Sequence, residues 1–345
     1  MTRRLHVAAL IAFAVLLAIR ATAASPQATA KVRLDQLLSL NPTDVSPVFL
    51  SDESVALLAR SGAPTPNAPT VVVLSWTRGQ LQSTAGPRRL DDGSDIYSAS
   101  NSLLIIASPH HKYVYSADLE QKWDLPIHLL STLFPRSGLV GEFSEQNWKA
   151  FLLTPEPTLI EGGQGMLLST SDGILISQGR DAIRTETTSR KLLGAAPVQP
   201  GARYFRSVEF AGSGRLYFST RGDERIADFN GKQLQRVRPP EGWGFRHGWS
   251  SDGSRLLFDH FIRSAPVWER AFDRLLGVPE ESNGEIIKVV DVNTGEVCFD
   301  LGSPNRLLGA AGGYHADLSP SGRWVAVASP TDLSIYRLPD HCTTM

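Results

Sequence analysis

The hydrophobic pattern of the chain is a short apolar run, a tight turn and a second apolar run, repeated from one end to the other. The copy near the C-terminus is the clearest. His315 to Leu318 alternates, Ser319-Pro320-Ser321-Gly322 turns the chain, and Trp324 to Ala328 is a β-rich stretch too short for a helix. Gly322 supplies the positive φ that such a turn demands. The same pattern recurs at 248–258, 206–218, 166–177, 139–153, 96–107 and 49–58. Most copies are followed by a second hairpin: Val71 to Leu81, Lys112 to Leu125, Ile226 to Leu234 and Ile286 to Phe299. In the third of these, Asn230-Gly231 is the signature of a type I′ turn.

The spacing of the turns turns a list of hairpins into an architecture. Gly173, Gly214 and Gly253 lie 41 and 39 residues apart, and Ser54, Ser102 and Asn147 lie 48 and 45 apart. From Gly253 to Gly322 the step is 69, the excess holding an insertion. A period of about 40–50 residues with four short strands per unit predicts an all-β fold, a β-propeller. Its blades number seven on the full set of turns, or six if the turn at Gly173 belongs to an outer hairpin. The last unit has only three strands, ending in Leu333 to Leu338, while Lys31 to Leu40 near the N-terminus has no hairpin partner. The N-terminal segment is therefore predicted to complete the last blade and to cover its edge.

The insertion reads as a helix over 264–278. Ser264 caps it, Pro266 lies in its first turn and Gly277 ends it. Trp268, Phe272 and Leu275 share one face, which packs on the rim or docks a partner.

Composition adds a location. Arg3 and Arg4 precede the 12-residue apolar run Ala8 to Ile19, and Ala21-Thr22-Ala23 follows. This is the order of a secretory signal peptide over 1–23, leaving residues 24–345 as one propeller domain that is secreted or periplasmic. The run falls short of the ~20 residues a membrane helix needs, and no later run reaches that length; a retained N-terminal anchor is the alternative. Cleavage removes three arginines and no acid, leaving 31 basic against 35 acidic residues. That balance, without a basic stripe, argues against a nucleic-acid partner. In an oxidising compartment the two cysteines, Cys298 and Cys342, can pair and tether the C-terminal tail.

Three turns carry a resemblance. Ser-Pro-Ser-Gly-Arg (319–323), Ser-Ser-Asp-Gly-Ser (250–254) and Asp-Val-Asn-Thr-Gly-Glu (291–296) resemble the turns of WD-repeat-like and TolB-like β-propellers. The Trp-Asp pair of true WD repeats closes a third strand, whereas Trp123-Asp124 here falls in a fourth, so the match is to the degenerate, secreted bacterial type. The resemblance implies a protein or ligand bound at one face of the ring; it is silent on chemistry.

In such a ring the residues just before the innermost strands converge on one mouth of the channel. Here they are Arg206, Arg246, His247, Tyr314 and His315, with Glu209 and Asp317 inside the strands. Two arginines and two histidines around one opening suit an anionic ligand held by charge-assisted hydrogen bonds. His110-His111 lies in a loop without further ligands at metal-binding spacing. Gly-x-Ser-x-Gly does not occur, and Gly162-Gly163-Gln164-Gly165 lacks the Lys and Ser/Thr of a phosphate loop. No catalytic residue, metal site or cofactor is therefore predicted. The expectation is a binding or scaffold module for a protein partner or a small anionic ligand. The alternative is a propeller enzyme (a lactonase, lyase or quinoprotein-type dehydrogenase) working at the channel mouth.

Overall fold

The structure is a computed structural model. It describes residues 26–38, 42–61, 68–77, 79–91, 94–100, 103–108, 110–126, 128, 139–143, 147–154, 156–171, 174–179, 181–189, 191–197, 207–210, 214–220, 223–237, 243–262, 285–302 and 315–342. The segment 1–23 expected to be a signal peptide, the insertion 264–278 with Trp268, Phe272 and Leu275, and the expected mouth residues Arg206 and Tyr314 lie outside these residues.

The strands form seven small antiparallel sheets, taken in chain order. The first blade is β2 (Pro42–Ser51), β3 (Ser54–Ser61), β4 (Thr70–Thr77) and β5 (Gln80–Arg89). The second is β6 (Asp95–Ser100), β7 (Leu103–Ala107), β8 (Lys112–Ser116) and β9 (Lys122–Leu125). The third has three strands, β10 (Leu139–Phe143), β11 (Asn147–Leu153) and β12 (Pro157–Gln164). The fourth is β13 (Met166–Ser171), β14 (Ile174–Gln178), β15 (Ala182–Thr187) and β16 (Leu192–Pro197). The turn near Gly173 thus opens a blade of its own, which fixes the number at seven.

The fifth blade is β17 (Ser207–Phe210), β18 (Arg215–Thr220), β19 (Asp223–Asp228) and β20 (Gln233–Val237). The sixth is β21 (Trp243–Trp249), β22 (Arg255–Ile262), β23 (Glu285–Asp291) and β24 (Val297–Gly302). The seventh is β25 (His315–Leu318), β26 (Trp324–Ala328) and β27 (Asp332–Arg337), completed by β1 (Ala30–Arg33). β1 runs antiparallel to β27 with Ala30 opposite Ile335 and Arg33 opposite Asp332. The strand anticipated over Lys31 to Leu40 is shorter than expected. After Arg33 the chain turns into a short helix, α1 (Leu34–Leu38), because Leu34 and Leu38 stand at i, i+4 and both reach the core.

Seven apolar clusters join these sheets, one at each junction. Ala56 and Leu58 of β3 face the second blade, while Val55, Leu57 and Ala59 face the seventh. Both faces of an inner strand are therefore buried, which is why these strands read as continuous apolar runs and not as alternation. The remaining junctions follow suit. Val114 packs with Leu153, Trp148 with Leu175, Ile176 with Phe218, Tyr217 with Phe258, and Leu257 with Val325. An open row of seven sheets has six junctions. The seventh, in which Ala328 and Ile335 meet Phe49 and Val72, closes the ring. Each fully buried Leu or Ile contributes about 1.5–3 kcal/mol relative to exposure.

One turn design joins the strands. Ser250 and Ser319 each accept, on the backbone oxygen, the N–H of a glycine three residues on, Gly253 and Gly322. Each serine Oγ also accepts the N–H five residues on, from Arg255 and Trp324. Ser116 does the same with Leu119 and Gln121. At Asn230-Gly231 the type I′ expectation fails. Only Gly231 has positive φ, and the Asp228 carboxylate accepts the N–H of Asn230 and Lys232. That side chain holds a type I turn followed by a glycine bulge.

Candidate functional site: the channel mouth at blades seven, one and two

Successive strands within each blade are antiparallel, and all blades are wound in the same order, so the innermost strands all enter from one mouth. β25 begins there with His315 and β2 with Pro42. Between them stands Asp44. Its carboxylate accepts from His315 Nε2 at 3.0 Å and from Arg60 Nη1 at 2.8 Å. Arg60 lies on β3 beside Asp44, and its other terminal nitrogen donates to the Ser94 carbonyl at 3.1 Å, just before the second blade's innermost strand. One arginine, one carboxylate and one histidine thus bridge three consecutive blades at the rim of the channel.

All three groups are partly exposed: side chains of Arg60 at 24%, His315 at 28% and Asp44 at 41%. The hydrogen bond from His315, then the Arg60 guanidinium, holds the Asp44 carboxyl down to about 2, below its ordinary 3.8. A lowered carboxylate stabilises the fold above its ordinary value. That contribution fades as the pH falls from about 4 to about 2, and for a pair this exposed it amounts to about 1 kcal/mol.

His315 is the one predicted mouth residue whose side chain is described. Arg246 and His247 lie on the innermost strand of the sixth blade; Arg246 pairs with Phe258, and His247 is the extra residue of a bulge. Counted by strand pairing, Arg246 opposite Phe258 matches Ala316 opposite Val327, and the bulge leaves Phe245, opposite Asp259, at the place that His315 holds opposite Ala328. Asp317 is buried and does different work: its carboxylate accepts the Phe49 N–H at 2.7 Å, pinning the innermost strands of blades seven and one. His111 stacks on Tyr113 at 5.8 Å in the tight turn after β7.

Sequence reasoning missed Asp44 and Arg60. Pro42 and Pro47 hid the first half of β2, since proline argues against a central strand. An innermost strand has a free edge toward the channel, so prolines are tolerated there. The signal that remained was Asp44 itself, a charge 17 residues before Ser61 and opposite Arg60 in a hairpin whose turn was already recognised.

The opposite mouth is a chain of turn-to-turn contacts. The Ser321 N–H donates to Asp52 Oδ1 at 2.9 Å and the Ser251 N–H to the Pro320 carbonyl at 2.7 Å. Arg255 is buried and donates to the carbonyls of Gly322 (2.6 Å) and Pro339, fixing the tail that follows β27. That tail ends at Cys342, which is disulfide-bonded to Cys298 on the outermost strand of the sixth blade, with Cα atoms 4.6 Å apart.

No protein-family model matches the chain, and no curated protein matches it. Solved structures do. Sqt1 of Chaetomium thermophilum is similar at 11% identity and a TM-score of 0.47, over 92% of this chain and 99% of that one. Kluyveromyces lactis Hsv2 is similar at 12% identity and 0.46, over 84% and 90%. The C-terminal WD40 domain of Sif2 is similar at 12% and 0.42, over 91% and 99%. These likenesses are too distant to carry an argument about this chain, whose fold rests on its own seven sheets and seven junctions.

Proposed function

We propose that the protein is an exported binding and scaffold module whose channel mouth takes an anionic group of its partner. The carrying observation is the Arg60–Asp44–His315 bridge. A guanidinium and an imidazole are held in place at the opening, oriented by a shared carboxylate and partly open to solvent. A partner's carboxylate or phosphate can share those donors through charge-assisted hydrogen bonds. Arg206, Arg246, His247 and Tyr314 are the further residues proposed to take part. Export is supported by the pattern of residues 1–23 and by the Cys298–Cys342 disulfide, a bond that persists in oxidising compartments.

A hexaglutamate peptide is the first probe, titrated onto the full mature chain by calorimetry at low salt. Binding is expected to weaken about tenfold in both Arg60→Gln and His315→Ala, a loss of about 1.4 kcal/mol. Equal affinity in wild type and both variants would sink the mouth as an anion site. For export, the first residue of the chain recovered from the periplasmic or extracellular fraction is expected near Ala24. A chain that keeps Met1 there is anchored and not cleaved.

A further inference from the structure

Among the described residues the third blade is the only one of the seven sheets with three strands. The chain leaves no place for a fourth in its usual position. β12 ends at Gln164, Gly165 turns, and Met166 already begins the innermost strand of the next blade. Gly165 sits at φ +92, and a Cβ there would collide with the Gln178 carbonyl oxygen. That crossing is built for glycine alone. Among the described residues β12, eight residues long, is therefore the outer edge of its blade, one strand closer to the axis than the edges of its neighbours.

Two hydrogen-bond donors, one on this edge and one buried beneath it, are poorly served. The Gly162 N–H is directed at Glu161 Oε1, 3.1 Å away, a side chain of its own strand. The indole N–H of Trp148 has no acceptor among the described residues, although Trp148 is only 4% exposed. Trp148 lies opposite Gly163, and its Nε1, Cε2 and Cζ2 atoms crowd the place where a Gly163 side chain would stand, at 2.9–3.0 Å. The indole thus lies over Gly163 on the face of the outermost strand, within the junction to the fourth blade. A buried donor without an acceptor costs about 1–3 kcal/mol. Beside these groups Leu159 is 57% exposed.

We propose that β12 is a strand-addition site, and that an extended segment of a partner protein completes the third blade antiparallel to it. Partner carbonyls replace Glu161 at the Gly162 N–H and pair with the other outward-facing main-chain donors of β12. An apolar partner side chain covers Leu159, with small residues opposite Gly162 and Gly163. Main-chain pairing supplies affinity and the alternate side chains supply selectivity. The surface lies on the rim of the ring and does not depend on the channel mouth.

The test selects displayed seven-residue random peptides on the immobilised mature chain and follows amide hydrogen exchange. Selected peptides are expected to alternate apolar and polar residues. They should slow exchange at Gly162 and Gln164 about tenfold and bind Leu159→Lys about tenfold more weakly at unchanged melting temperature. Gly162→Pro, which deletes the donor, is the companion variant; if it does not fold, Leu159→Lys decides. The proposal is overturned if no peptide is selected, or if the selected peptides bind wild type and Leu159→Lys equally. It also fails if Gly162 and Gln164 already exchange as slowly as the interior of β11 in the free chain, the edge then being covered by another part of this chain. A concentration-dependent dimer that protects the same amides would make a second copy the occupant, and would equally refute a foreign strand.

Discussion

Leu119 adopts the backbone that matching turns give to Gly253 and Gly322. Its φ is +62, a conformation that costs a side-chain-bearing residue about 1–2 kcal/mol. The turn keeps it because the side chain is buried between the first and second blades, beside Ala85, Leu104 and Tyr115, while Arg88 donates to its carbonyl. Burial of a leucine outweighs the strain. Two variants separate the two effects. Leu119→Ala loses the packing and keeps the strain, for about 3 kcal/mol. Leu119→Gly loses the same packing and releases the strain, so it is expected to be the more stable of the two by about 1 kcal/mol in urea unfolding. The reverse order would mean that the strain is not real. At the mouth, too, single residues carry double duty: Asp44 is at once the clasp between two blades and the group that orients both bases.

At the scale of elements, the inner strands and their turns were legible in the chain because each buries two faces and each turn needs a glycine or a serine at a fixed place. The outer strands were not. β12 and β16 are half exposed, and Gly162-Gly163 and Gly194-Ala195-Ala196 have the composition of loops. Their strand character comes from the neighbour they pair with and not from their own residues. The expectation of four strands in every blade failed at the third, where β12 passes through Gly165 straight into β13, and Asp44 was missed because two prolines disguised an edge strand. Cysteine pairing belongs to this scale as well. The tail beyond β27 has few apolar anchors besides Leu338, and it is tied by Arg255 and by the Cys298–Cys342 bond across a sequence separation of 44 residues. Cys342→Ser is expected to lower stability by about 3 kcal/mol in denaturant titration, with the wild type under reducing conditions matching it. No difference between oxidised and reduced wild type would show that the bond adds nothing to the fold.

For the whole molecule, the decisive contact is the junction between the first and last blades. A chain beginning at Asn41 lacks β1 and α1, and with them Ala30, Leu34 and Leu38 from that junction. It also bares the edge of β27. The expected loss is about 5 kcal/mol, from four strand residues and three buried apolar side chains, together with self-association seen by light scattering. Adding a peptide of residues 26–38 is expected to restore the monomer. A truncated chain that stays monomeric, within about 1 kcal/mol of the parent, would show that the ring closes without its clasp. The same clasp imposes an order in time. Ala30 is among the first described residues to be synthesised, yet its partner Ile335 is among the last. The first strand must wait, unpaired, until nearly the entire chain exists. Every blade can form as its own hairpins appear, but the circle has no shorter route to completion. Such distant pairing makes for slow folding. A growing chain of this kind is vulnerable to the end, and its final contact is the one that certifies that nothing in between is missing.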